Sequence, residues 1–177
     1  MTSTIRKATA DDAGRLAALA AVTFPLACPP SASPEDIAAH LANTLSEGHF
    51  QGYLADPDVT VLVIDDDGSL RGYSLLVNRP ARDPDVVAAL KLVPSVELSK
   101  CYVRPEHHGL GAAAELMHAS LQAAAAAGGA GVWLGVNSQN ARAIRFYEKS
   151  GFRKVGSKSF RLGTTVEHDF VLERALP

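Results

Sequence analysis

The segment that most constrains this chain runs from residue 96 to residue 136. A β-rich run at 96–103 leads into Arg104-Pro-Glu-His-His-Gly-Leu-Gly111, then an alanine-rich stretch closing on Gly128-Gly129, then a second β-rich run at 131–136. Strand, glycine turn, helix and strand in that order make two parallel neighbours with a helical crossover, because parallel strands need a long connection. Gly109 and Gly111 fall where the first strand ends and the helix begins. Glycine lets the backbone bend tightly there and brings unpaired amide N–H groups close to a ligand. A helix N-terminus of that kind is a cradle for an anion, each aligned charge contributing on the order of 0.3–1 kcal/mol.

The rest of the sequence fits one domain spanning residues 1–177. With 47% apolar residues, a chain of this length can bury roughly 70% of the surface its unfolded form exposes, so no disulfide or structural metal is needed. The 17 Lys and Arg against 19 Asp and Glu leave a net charge of -2, which argues against a nucleic-acid partner. No apolar run nears the ~20 residues that span a bilayer, and residues 1–12 lack a hydrophobic signal core. A cytoplasmic protein without a membrane partner is expected. Cys28 and Cys101 are expected to be reduced thiols. No metal is expected at His107 and His108, since adjacent residues rarely converge on one ion and no third ligand is apparent.

Along the chain, a short strand at 4–8 precedes Thr9-Ala-Asp-Asp12, where Thr9 and Asp12 resemble a capping box, and an apolar helical pattern at Leu16, Leu19, Ala20 and Phe24. Four prolines between Thr23 and Pro34 are expected to interrupt that helix. A second helix is expected over 34–47, opened by Pro-Glu-Asp. The runs at 59–64 and 70–77, separated by Asp65-Asp-Asp-Gly-Ser69, read as a hairpin; the Asp triplet supplies turn chemistry and lacks the remaining ligands of a calcium loop. Residues 79–94 read as a loop with a helical turn, 141–149 as a helix, and 152–176 as two further strands. The result is an α/β chain built on a single mixed sheet.

Three phosphate-binding patterns compete for the glycine turn. The P-loop pattern GxxxxGK[ST] fails, because no Lys followed by Ser or Thr comes after Gly111. The dinucleotide pattern fits literally at Gly109-Leu-Gly-Ala-Ala-Ala114, but the next strand ends on Val136-Asn137 and not on the acid that would hold a ribose. The third pattern is a family likeness. Residues 103–113 resemble the acetyl-CoA motif [RQ]xxGx[GA] of the GCN5-related N-acetyltransferases, with His108, Gly111 and Ala113 at the matching positions. His108 departs from the usual Arg or Gln. Residues 133–153, Trp-Leu-Gly-Val-Asn-Ser-Gln-Asn-Ala-Arg-Ala-Ile-Arg-Phe-Tyr-Glu-Lys-Ser-Gly-Phe-Arg, are similar to the second acetyl-CoA element of the same family, in the right order and separation.

The resemblance implies an acyl-CoA N-acyltransferase fold, a mixed central sheet with helices on both faces, and acetyl-CoA as co-substrate. It implies that backbone groups of Cys101, Tyr102 and Val103 meet the acetyl and pantetheine parts. The turn at His108, Gly109, Leu110, Gly111, Ala112 and Ala113 would hold the pyrophosphate, and Asn140 the pantetheine amides. Tyr147 corresponds to the general acid that protonates the departing thiol, or else to a core aromatic on an amphipathic helix. Glu97 corresponds to a carboxylate that could accept the proton of the incoming amine, or else to an ion partner at a strand end. Cys101 reads as a small strand residue and not as an acyl-carrying nucleophile, so direct transfer to the amine is expected.

Within the family the sequence is most similar to the polyamine (spermidine/spermine) branch, at Thr23-Phe24, Trp133-Leu-Gly-Val136, and Gly156-Ser-Lys-Ser-Phe-Arg-Leu-Gly163 followed by Asp169. A small amine is therefore the expected acceptor, with Glu35, Asp36 and Glu47 the acids available to a polyamine groove. Acetylation of a protein N-terminus or an amine antibiotic is the alternative from the same enzyme class. A non-catalytic acyl-CoA sensor is the alternative from another. The likeness leaves the oligomeric state open between a monomer and a homodimer.

Overall fold

The computed structural model describes residues 3–107 and 111–177. Val61 and Val63 on one side of their strand, and Leu62 and Ile64 on the other, are all buried, so the sheet they belong to is covered on both faces. Its strands are β1 (Ser3–Lys7), β2 (Val59–Asp66), β3 (Ser69–Val77), β4 (Ser95–Val103), β5 (Gly131–Asn137), β6 (Arg153–Leu162) and β7 (Thr165–Ala175). They lie in the order β1-β2-β3-β4-β5-β7-β6. Only β4 and β5 pair in parallel; the other neighbours are antiparallel.

The helices are α1 (Ala13–Ala27), α2 (Pro34–Thr44), α3 (Glu47–Ala55), α4 (Pro84–Ala89), α5 (Ala112–Ala126) and α6 (Ala141–Lys149). On one face Leu16 and Leu19 of α1 and Phe50 of α3 pack with Val61, Val63, Tyr73 and Leu75. Val86 of α4 covers Trp133 and Val171 farther along that face. On the other face α5 places Leu116 against Leu62, Ile64 and Val103, and Met117 against Leu98 and Leu134. Ile144, Phe146 and Tyr147 of α6 join that second core. The α/β architecture with helices on both faces is the expected one.

Two local expectations change. The first helix runs through Pro25 to Ala27, because a proline this close to the end removes only one hydrogen bond of the last turn. The helix expected over 34–47 stops at Thr44, and α3 begins beyond it. Ser46 caps the new helix by accepting the His49 N–H at 3.3 Å, and the Tyr53 hydroxyl of α3 donates to the Thr44 carbonyl at 2.8 Å. The loop at 79–94 contains its expected helical turn as α4, started by the Asp83 carboxylate accepting the Asp85 N–H at 2.9 Å. The Asp-Gly hairpin forms as expected, with Asp67 (φ 52°) and Gly68 (φ 90°) both left-handed and the Gly68 N–H donating to Asp65 Oδ1 at 2.7 Å.

Candidate active site

The two parallel strands at the centre part company. β4 and β5 pair only over Ser95–Glu97 against Gly131–Trp133. β4 stays bonded to β3 out to Val103, and β5 to β7 out to Asn137, so each keeps its outer partner while the gap between them widens. The β5-facing backbone edge of residues 98–102 therefore belongs to no ladder. Backbone N–H and C=O groups at the centre of a sheet are almost always paired. An extended chain of amides, such as the pantetheine arm of coenzyme A, is the kind of ligand that completes such an edge.

A bulge on β4 decides what faces the gap. Leu76 opposes Leu98 and Leu75 opposes Lys100, which leaves Ser99 as the extra residue. One inserted residue reverses the alternation beyond it. Glu97, Lys100 and Tyr102 consequently share the face that carries α1, α2 and α3, while Leu98, Cys101 and Val103 share the face that carries α5 and α6.

One cavity of about 640 Å³ runs through the gap and reaches both faces. From the α5 and α6 side it is lined by Ala113, Asn140, Phe146 and Tyr147, and from the other side by Phe24, His40 and Leu45. Glu97, Cys101, Tyr102, Val103, Ala113, Asn140 and Tyr147 of the expected site residues all line it. His108, Gly109 and Leu110 lie outside the described residues. Gly111 is the left-handed residue (φ 80°) that opens α5, and Ala112 packs beside Val103.

The helix ends explain the cofactor side. α2, α3, α4 and α6 each have a side-chain cap, from Ser33, Ser46, Asp83 and Asn140. α5 has none, and its first intrahelical bond is from the Glu115 N–H to the Gly111 carbonyl at 3.0 Å. Among the described residues the amides of residues 112–114 have no acceptor, which fits a pyrophosphate. Asn140 differs in detail from the expectation. Its Oδ1 accepts the Ala143 N–H at 3.2 Å as the α6 cap, so its NH₂ group is the half left to donate into the cavity.

Tyr147 packs edge-on to Phe152 (5.9 Å) and tilted against Phe146 (5.5 Å), and its hydroxyl has no hydrogen-bond partner among the described residues. Burial pushes its phenol well above the usual value, so it is protonated across the physiological range. The same burial pushes the Cys101 thiol up to about 12, so Cys101 is not a thiolate near neutral pH.

The opposite side carries charges that motif reasoning did not assemble. Burial raises Glu97, against the opposing pull of Lys100, Lys158 and Arg79. Burial lowers Lys100, against the pull of Glu97. Lys158 of β6 crosses the sheet over Gly135, where a Cβ would come within 2.6 Å of its Cε, and reaches Asp169 Oδ2 at 3.7 Å. Phe24 stacks on His40 at 4.5 Å and Phe160 meets it edge-on at 5.8 Å, which keeps the imidazole depressed and neutral by burial. The face that Lys100 takes is set by the bulge at Ser99, a register shift against β3 that the sequence of β4 alone does not display.

The acids expected to line a polyamine groove go elsewhere. The Asp36 carboxylate lies against Gly163 in the β6–β7 turn, Glu47 lies 3.4 Å from where a Gly14 Cβ would sit, and Glu35 is exposed. None of the three lines the cavity.

Known proteins agree with this geometry. The chain is 48% identical over 165 residues to an uncharacterized N-acetyltransferase of Mycobacterium bovis, covering 93% of this chain and 98% of that one. It is 30% identical over 146 residues to an uncharacterized N-acetyltransferase of Lactobacillus delbrueckii subsp. lactis, covering 81% and 80%. The crystal structure of the PaiA N-acetyltransferase of Thermoplasma acidophilum in complex with coenzyme A superposes with a TM-score of 0.79 over 99% of both chains at 21% identity, a likeness of fold. Residues 24–152 match the model of the acetyltransferase (GNAT) family. With the cofactor crevice, the uncapped α5 and these relatives in agreement, the chain is a member of the GNAT family and an acetyl-CoA-dependent N-acetyltransferase.

Proposed function

We propose that this enzyme acetylates the primary amine of a small molecule by direct attack, with Tyr147 and Glu97 as its proton-handling groups. The observation that carries the reading is the single cavity through the parted strands, with Tyr147 on the α6 side and Glu97 on the α1 side. A donor and an acceptor of protons on opposite faces suit a reaction in which the amine approaches from one face and the thiol leaves toward the other.

When bound, acetyl-CoA supplies the acetyl group as an activated thioester. An alkylammonium with a pKa near 10 must lose a proton before it attacks, and Glu97 takes that proton. Its raised pKa makes it a better base than an exposed carboxylate while Lys100 and Lys158 favour its ionised form. The C–N bond forms, the C–S bond breaks, and Tyr147 gives its phenolic proton to sulfur. Burial strengthens a departing thiolate as a base, as it pushes up the Cys101 thiol, and raises the Tyr147 phenol as well, so the proton passes as the C–S bond breaks and charge gathers on sulfur.

The sequence likeness to the polyamine branch suggests a polyamine as one member of the acceptor class. A long polycation needs an acidic lining, and the acids within the cavity, Glu97 and Asp169, are accompanied there by Lys100 and Lys158. The geometry favours a shorter amine. The presence of Tyr147 and Glu97 in one cavity favours catalysis over a sensor role.

Thiol release measured with acetyl-CoA and a panel of amines, spermidine, short alkylamines, amino acids and peptides tests the reading. Turnover of small amines is expected. Turnover of peptides alone contradicts it, as does tight coenzyme binding with no turnover.

A further inference from the structure

The cation at the centre of the acceptor side is unexplained by the reaction. Lys100 stands in the cavity on the same face as Glu97, at the strand position that the bulge turned away from the core. Its ammonium donates to Ser99 Oγ at 3.0 Å and sits 5.8 Å from the Tyr53 ring. No carboxylate lies within 4 Å of it among the described residues. Lys100 is half-buried in the cavity lining, and its ammonium has one hydroxyl partner besides the longer-range pull of Glu97, so an anion beside it is favoured. An acceptor bearing only positive charge would be disfavoured there.

Across the floor of the cavity the charges continue in alternation. Asp169 Oδ1 is buried with no hydrogen-bond partner among the described residues, while Oδ2 is 3.7 Å from Lys158. Gly135 is what lets Lys158 lie there. The side is thus furnished with an acid and a base at each end, Glu97 with Lys100 on β4 and Asp169 with Lys158 on β7 and β6, a pattern complementary to a molecule that carries both signs of charge.

Resting on the small-amine reading above, we propose that the acceptor is an amino acid, a molecule with a carboxylate close to the reacting amine, and that Lys100 holds the carboxylate while Glu97 receives the ammonium proton. Lys100 is on this account a specificity-determining residue.

Matched pairs that differ by one carboxylate test this directly: alanine with ethylamine, 4-aminobutanoate with propylamine, and ornithine with putrescine, each assayed by thiol release for kcat/KM. The amino acid is expected to exceed its bare amine by ~10- to 100-fold in at least one pair, the range for a charge-assisted hydrogen bond. Lys100→Met is expected to bring that ratio toward one, with Lys100→Gln as a second variant that keeps a polar group. A merely structural role for Lys100 would lower both members of a pair and leave their ratio in place. Bare amines turned over as well as, or better than, their partners in all three pairs would overturn the proposal and spare the small-amine reading. An unmoved ratio in both variants would overturn the role of Lys100. No turnover of any member, with coenzyme bound, would remove both readings.

Discussion

The residues that matter most here are ordinary side chains made unusual by where the backbone puts them. Tyr147 keeps its proton because burial disfavours phenolate. Tyr147→Phe is expected to lower kcat by ~100-fold while changing the KM for acetyl-CoA by less than about twofold, since the hydroxyl acts on the leaving group and not on binding. An unaltered kcat in steady-state assays would remove it as the acid. Glu97 is protonated at a higher pH than a free carboxyl, through burial. It serves as a base only when ionised, so kcat/KM is expected to fall as pH drops through that raised value, an acid limb above the usual 4.5. A pH profile of Glu97→Gln should lack that limb. Asp12 shows the opposite shift. Arg6 at 2.8 Å, the Thr9 N–H at 2.7 Å and Arg15 hold its carboxyl down at about 2. A depressed acid stabilises the fold at pH values above its unfolded value of 3.8 and loses that contribution as pH falls toward 2. Asp12→Asn is therefore expected to cost on the order of 2 kcal/mol at pH 7 and much less near pH 2, read from urea unfolding at both.

Among the elements, β4 and β5 carry the site and show why part of it was legible and part was not. The strand–turn–helix–strand order, the uncapped start of α5 and the place of Tyr147 on α6 follow from local spacing, which a sequence displays. Lys100, Lys158 and Asp169 come together through a bulge, a bare glycine and a β6–β7 hairpin, which are long-range facts. Residues 26–29, 40, 44 and 45 line the cavity, but the acids offered for a polyamine groove are absent from it for a local reason. Ser46 starts a new helix two residues after Thr44, and the acids on α2 and α3 turn to Gly163 and Gly14. Gly135 offers a test at this scale. A valine suits an exposed strand position, so Gly135→Val should leave the thermal midpoint the same or higher. Its Cβ would displace Lys158 and crowd Asp169, 3.3 Å away, so kcat/KM for the acceptor is expected to fall at least ~10-fold. A fall in the midpoint with kcat/KM intact would contradict the account.

At the scale of the whole molecule, a sheet covered on both faces is opened at its centre. In the proposed function two reactants meet there from opposite sides, the coenzyme in the gap between β4 and β5 and at the first turn of α5, the acceptor in the chamber under α1 and α2. Among the described residues no helix is long and apolar enough to cross a membrane. The central claim is that backbone without a partner among the described residues, at 98–102 on the β5-facing edge of β4 and at 112–114 at the start of α5, receives the coenzyme. Amide hydrogen exchange measured by mass spectrometry, with and without saturating coenzyme A, tests it most directly. The account predicts strong slowing of exchange in the peptides that hold those two segments and little change in β1 and β2; coenzyme binding that leaves both segments exchanging at their free rates would contradict it.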